Sequence, residues 1–291
     1  MGKQSRRESR RNRPVRVADP DVALVHRPFA GLAGEGDWVA MREIVPAATA
    51  VTRTTKEHGD RDVTVATVLP MAWAALHRAD GRLLVGLQVQ GGSGDPSRDL
   101  AAALLAALDT DPGTPVAGVG LPGAGPRLQD VLEPSAGFAV RVHEGFDFWL
   151  DDEATRTPEV EASLEQANAA VVPTERLVSV EAAYWCRIGE RTHLRWVLPH
   201  EEEVLLDGLA RLHAAGGSAL GDGTRYIGAF RAHGLVVPVW DLRPGALADD
   251  VEEPAAAFAA RLEEALADPA PLSVAERRAR AGIASRQLTL R

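Results

Sequence analysis

The spacing of apolar residues along the chain switches repeatedly between a period of two and a period near 3.6, and the switches mark one recurring unit. That unit is strand, tight turn, strand, amphipathic helix. Its first instance runs from Met71 to Leu108: Trp73 to His77 alternates into the turn Asp80-Gly81, Arg82 to Val89 returns, and Asp95-Pro96 starts a helix. Leu100, Leu104 and Leu108 then share one helical face. The second instance runs from Val178 to Leu212, with its turn at Gly189-Glu190. Pro199 is expected to open its helix, Glu201 to Glu203 to suit the positive helix end, and Gly216-Gly217 to end it. The third runs from Tyr226 to Leu266, turning at His233-Gly234; Pro238 marks its return strand as an edge or partly unpaired, and Pro254 is expected to open its helix.

A longer echo links residues 37–108, read as a helix after Asp37, the pair Val45-Pro46, a strand, a hairpin and a helix, to residues 157–212, which read the same way. The pattern predicts two similar α+β halves, residues 19–115 and 127–284, joined by the Gly/Pro-rich stretch 116–126. Residues 1–18 read as a disordered basic arm and 285–291 as a tail. A last helix opens at the capping box Ser273-x-x-Glu276. Hairpins followed by helices give mainly antiparallel sheets with helices on one face, which is the α+β class.

Bulk properties narrow the function classes. With 45% hydrophobic and 25% charged residues over 291 positions, the chain can bury a full core. A single cysteine, Cys186, excludes an internal disulfide framework and cysteine-rich zinc sites. No apolar run approaches the roughly 20 residues that span a bilayer. The start Met1-Gly2 lacks the serine or threonine of a myristoylation signal, and its arginines lack a following apolar stretch, so a cytoplasmic location with no membrane partner is expected.

Charge is uneven. Residues 1–16 carry seven basic side chains against Glu8, and residues 273–291 carry five arginines against Glu276, so a formal charge of −9 hides an acidic body with basic ends. Arg6, Arg7, Arg10, Arg11 and Arg13 suit a sequence-blind tether to phosphates of RNA, DNA or a ribosome. Arg277, Arg278 and Arg280 offer a second basic face for a protein partner.

Candidate chemistry is sparse. Gly118-Val119-Gly120-Leu121-Pro122-Gly123 spells a dinucleotide fingerprint, but no helix opens behind it, so it reads as connecting chain. His200 and Glu203 share a helical face, but His213 lies more than three turns further on and cannot reach the same ion; no HExxH occurs, and neither metal nor cofactor is expected. If the second hairpin turns at Gly189-Glu190, Cys186 faces His193 across the strands, the spacing at which an imidazole can activate a thiol. Trp73, Trp185 and Trp240 are candidates to line a cleft between the halves.

Several stretches, taken in order, resemble an actinobacterial family of unknown function. They are Arg27-Pro28-Phe29, Gly34-Glu35-Gly36-Asp37-Trp38-Val39, Ile44-Val45-Pro46-Ala47-Ala48-Thr49, Ala66-Thr67-Val68-Leu69-Pro70-Met71-Ala72-Trp73, Ala183-Tyr184-Trp185-Cys186, Leu194-Arg195-Trp196-Val197 and Phe230-Arg231-Ala232-His233-Gly234-Leu235. The resemblance implies that many members carry a SEC-C-type zinc motif ahead of this region. Here no cysteine precedes residue 186, so a secretion role attached to that motif does not carry over. The functional expectation is a non-catalytic binding or regulatory protein for an unknown protein or small-molecule partner. The alternative is an enzyme that uses Cys186 and His193 in a cleft.

Overall fold

The computed structural model describes residues 24–89, 92–150 and 158–285. Helix α1 (Glu35–Glu43) comes first, then β1 (Ala48–Arg53), β2 (Asp62–Ala66), β3 (Ala75–His77), β4 (Leu83–Gly86) and α2 (Pro96–Leu108). β5 (Thr114–Val116), α3 (Leu128–Val131), β6 (Ala139–Val142) and α4 (Pro158–Asn168) follow. The remainder is β7 (Thr174–Arg176), β8 (Ala183–Ile188), β9 (Arg191–Trp196), α5 (Glu202–Ala214), β10 (Arg225–Ala232), β11 (Leu235–Asp241), α6 (Asp249–Ala267) and α7 (Val274–Ser285).

Among the described residues the strands form two sheets, ordered β5-β3-β4-β2-β1-β6 and β10-β11-β9-β8-β7. Every pairing between these strands is antiparallel except that of β2 with β4. The fold is α+β, and the three hairpin-helix units are present at β3-β4-α2, β8-β9-α5 and β10-β11-α6. Four local readings change. Asp37 lies inside the first turn of α1 and is buried, while Gly34 caps the helix with φ 70°. α5 starts at Glu202, three residues beyond Pro199, and α6 begins at Asp249 and carries Pro254 inside it. β11 is internal, bonded to β10 along its length and to β9 through Val239–Asp241. Pro238, in register with Ala229 of β10, sits just outside the β9 pairing.

One continuous apolar cluster joins α1, the inner face of the first sheet, α2 and one face of the second sheet. Trp38, Val39 and Met41 pack with Val63, Val85, Leu100, Leu104, Tyr184, Phe230 and Val237. The opposite face of the second sheet carries Trp185, Leu194, Trp196 and Trp240, covered by Leu205, Leu209, Phe258 and Leu262 of α5 and α6. The outer face of the first sheet is closed by Leu69, Leu84, Trp73 and Phe148, and by Phe146 with Leu164 of α4.

Where the two sheets meet, α1 carries buried polar contacts across the seam. Asp37 Oδ1 accepts from the Tyr184 hydroxyl at 2.6 Å, and Arg176 donates to both its oxygens at 3.2 and 3.0 Å. Burial, reinforced by the Asp37 carboxylate, pushes the Tyr184 phenol well above its usual pKa.

Candidate ligand-binding site

A cavity of about 290 Å³ opens at the ends of β4 and β5, against the first half of α2. Three connections, far apart in sequence, wall it. Ala117 to Leu121, within the glycine-rich stretch, form one side; Met71 and Ala72 form another; Val89 and Gly92 edge the third. Leu100 and Ala103 of α2 supply an apolar floor, and Arg42 and Asp99 bring two opposite charges.

Each wall is fixed by local chemistry. The chain after Val119-Gly120-Leu121 is tied back to α2, because Arg98 donates to the Gly125 carbonyl and Arg127 forks onto the fully buried Asp95 at 2.8 and 3.2 Å. At the second wall, Met71 and Ala72 hold φ of 52° and 55°, a left-handed conformation that costs non-glycine residues about 1–3 kcal/mol each. That turn leaves Met71 87% exposed at the mouth, beside the exposed Val119 and Leu121. Gly86 makes the close packing here feasible: a Cβ on it would stand 2.8 Å from the Trp73 carbonyl oxygen.

The two charges are held apart. Arg42, from the last turn of α1, donates Nη1 to the Leu87 carbonyl, and Gln88 Nε2 donates to the Met41 and Val45 carbonyls to pin the same segment. Burial pulls the Arg42 pKa down, the Glu43 and Asp99 carboxylates oppose it, and the guanidinium stays protonated at neutral pH. Asp99 accepts the Ser93 amide on both oxygens, at 3.1 and 2.9 Å. A Cβ on Gly92 would come within 2.5 Å of Asp99 Oδ2, so glycine lets that carboxylate lie against the loop. Arg42 and Asp99 share the cavity without an ion pair between them: none of the N–O approaches within 4.0 Å joins them.

The residues singled out from sequence lie elsewhere. Cys186 and His193 are directly opposed, in the register the turn at Gly189-Glu190 implies. Asp241 of β11 stands opposite His193 on its other side, with its Oδ1 3.0 Å from His193 Nδ1, and Arg225 pairs with Asp241 at 2.9 Å. A Cys-His-Asp-Arg row therefore crosses four strands, which one hairpin alone does not reveal. Its chemistry opposes activation. The Cys186 side chain is buried, which pushes the thiol pKa up against a smaller effect of Arg195. Burial pushes His193 down despite Asp241. Both groups are thus favoured in their neutral forms, and no hydrogen bond joins them among the described residues.

Trp185 and Trp240 are buried beneath α5 and α6, their indoles bonded to the Ala246 and Ser218 carbonyls, while Trp73 packs on the outer face of the first sheet. The three tryptophans therefore do not meet in one cleft; large rings on sheet faces were claimed by the cores on either side. Arg6, Arg7, Arg10, Arg11 and Arg13 lie outside the described residues. No group of three or more His, Cys, Asp or Glu side chains suited to a metal ion occurs among the described residues, and no helix among them is long and apolar enough to cross a membrane. A wider trough of about 700 Å³ lies between β6 and β7. Two of its polar groups are engaged elsewhere, Arg176 with Asp37 and His143 with the Thr49 hydroxyl at 2.8 Å.

Taken together, these features define a two-sheet α+β protein with a small cavity that has an apolar floor and two opposite charges, and with a buried, unactivated thiol. The chain belongs to the family of unknown function DUF5926, which matches residues 28–291. Comparison with curated proteins and comparison with solved structures give no match.

Proposed function

We propose that this protein is a non-catalytic binding protein for a small amphiphile with an anionic end, received in the cavity between α2 and the 117–121 loop. The observation that carries the reading is Arg42: a largely buried guanidinium lining the cavity, which among the described residues donates to the Leu87 carbonyl alone and has the Glu43 carboxylate 3.9 Å from its Nε. Arginine has five N–H donors, and an anion that forks onto the free ones gains a charge-assisted contact. The exposed apolar rim of Met71, Val119 and Leu121 supplies surface that a ligand would cover. The volume suits a compact ligand, since 290 Å³ lies at the low end of the range of about 300–1,000 Å³ for small-molecule sites.

The test is thermal stabilisation and calorimetric titration of the full chain with a panel of small apolar carboxylates. A ligand at about a hundred times its Kd adds about 2.7 kcal/mol to folding stability. Arg42→Met should abolish the effect, and Ala103→Leu, which fills the floor, should weaken it. No shift with any member of the panel, or equal binding by both variants, would overturn the reading. A thiol-based reaction at Cys186 and His193 is less favoured, because burial opposes charge on both groups.

The arginine arm is a separate element of the proposal. Its excess of six positive charges suits sequence-blind contact with nucleic-acid phosphates, tethering the acidic body to RNA, DNA or a ribosome. Binding to mixed RNA that falls steeply with salt, and is lost on deleting residues 1–16, is expected. Equal binding by both forms would remove the tether.

A further inference from the structure

The cavity holds two opposite charges that do not touch, and that arrangement selects among amphiphiles. A pocket for a simple carboxylate or phosphate needs Arg42 and gains nothing from a second, negative group, since Asp99 would repel the ligand's charge. Asp99 has no cation paired with it among the described residues: both of its oxygens take the single Ser93 amide, and Arg98 beside it is turned to Asp95 and Gly125. The loop is shaped around it, with glycine at 92 leaving room for Oδ2. Leu100, Ala103, Ala74 and Val89 line the same cavity, together with Val119 and Leu121.

We infer that the ligand is an apolar α-amino acid, its carboxylate on Arg42, its ammonium on Asp99 and its side chain on the Leu100–Ala103 floor. This deepens the small-amphiphile reading and rests on it. An α-amino acid carries a carboxylate, an ammonium and an apolar group, and the cavity lining offers a counterpart to each. Size agrees: 290 Å³ is about ten water volumes, room for roughly ten heavy atoms. Binding neutralises both charges at once and leaves the exposed rim to close over the side chain.

The experiment compares three probes on the full chain by titration calorimetry: L-leucine, 4-methylpentanoate, which lacks the ammonium, and 3-methylbutylamine, which lacks the carboxylate. L-methionine and L-phenylalanine extend the series in size. Leucine or another member of the amino-acid series should bind at least tenfold more tightly than either single-charge probe. Asp99→Asn should erase the preference over 4-methylpentanoate while leaving that acid's own affinity unchanged or improved. If 4-methylpentanoate matches or exceeds every amino acid in the unmodified protein, the amino-acid inference fails and the anion site stands. If no probe binds, both fail together. The comparison of probes on the unmodified chain decides the matter even if Asp99→Asn does not fold.

Discussion

Removing the Asp37 carboxylate by Asp37→Ala is the most informative perturbation of the fold. It strands two groups at the seam between the sheets: Arg176, which loses both bonds to the carboxylate, and the buried Tyr184 hydroxyl, which loses its acceptor. Breaking one side of a buried ion pair costs about 3–5 kcal/mol. The Arg176 side chain retains 25% of its exposure, so water reaches it and the charge contribution falls to about 2–3 kcal/mol. Stranding the Tyr184 hydroxyl adds about 1–2 kcal/mol. The expected loss is therefore about 3–5 kcal/mol, read as a drop in the urea midpoint by tryptophan fluorescence. Because most of it is the penalty of an orphaned cation, Arg176→Met in the same chain should restore at least about 1 kcal/mol relative to additivity. A cost below about 1 kcal/mol for Asp37→Ala, or strict additivity of the pair, would refute the claim that this contact fastens the seam.

Other consequences are equally direct. Cys186 should react with an aromatic disulfide reagent at pH 7.5 only as fast as the protein unfolds, and become fully reactive in urea; rapid stoichiometric labelling of the native protein would contradict its burial. Burial lowers the pKa of His193, and burial together with Arg141 lowers that of His143. The unfolded chain therefore takes up these protons first, so their stability contribution is complete above the ordinary imidazole pKa of 6.5 and is lost as pH falls through the lower folded values. Thermal midpoints should decline between pH 7 and 5, and replacing both histidines with glutamine should flatten that decline; an unchanged slope would sink the assignment. Gly86→Ala should destabilise by about 1–3 kcal/mol, measured by denaturant melts, because the new methyl meets the Trp73 carbonyl rather than a side chain that can swing away.

Local chemistry made the hairpins legible. The turns at Asp80-Gly81, Gly189-Glu190 and His233-Gly234 all join the strands expected, and the second sets Cys186 opposite His193. The capping box holds too, with the Ser273 amide donating to Glu276 at 2.6 Å. Helix starts were less readable. Asp37 and Pro254 resemble starting residues by type, but Asp37 serves the seam and Pro254 is accommodated within α6, where it forgoes the amide bond to Asp250. The parallel pairing of β2 with β4 joins strands separated by a hairpin arm, and no local pattern encodes it. The candidate site was hidden for a related reason. Its walls come from Met71 and Ala72, from Val89 and Gly92, and from residues 117–121, brought together only by the sheet. Its strained turn uses methionine and alanine, which carry none of the glycine signal that positive φ normally leaves. The glycine-rich stretch itself was visible, but as a connection rather than a wall.

The apolar cluster running through α1 has a consequence for dividing the chain. A cut within 116–126 would leave the N-terminal piece with Trp38, Val39 and Met41 deprived of Tyr184, Phe230 and Val237, and the C-terminal piece with one bare sheet face. The C-terminal piece keeps the core beneath α5 and α6, but the cluster built around α1 is divided between the two pieces, whose surfaces are complementary by construction. Produced separately they should be insoluble or weakly structured, and produced together they should reassemble. The protein is thus suited to a split reporter whose two parts are silent until they meet.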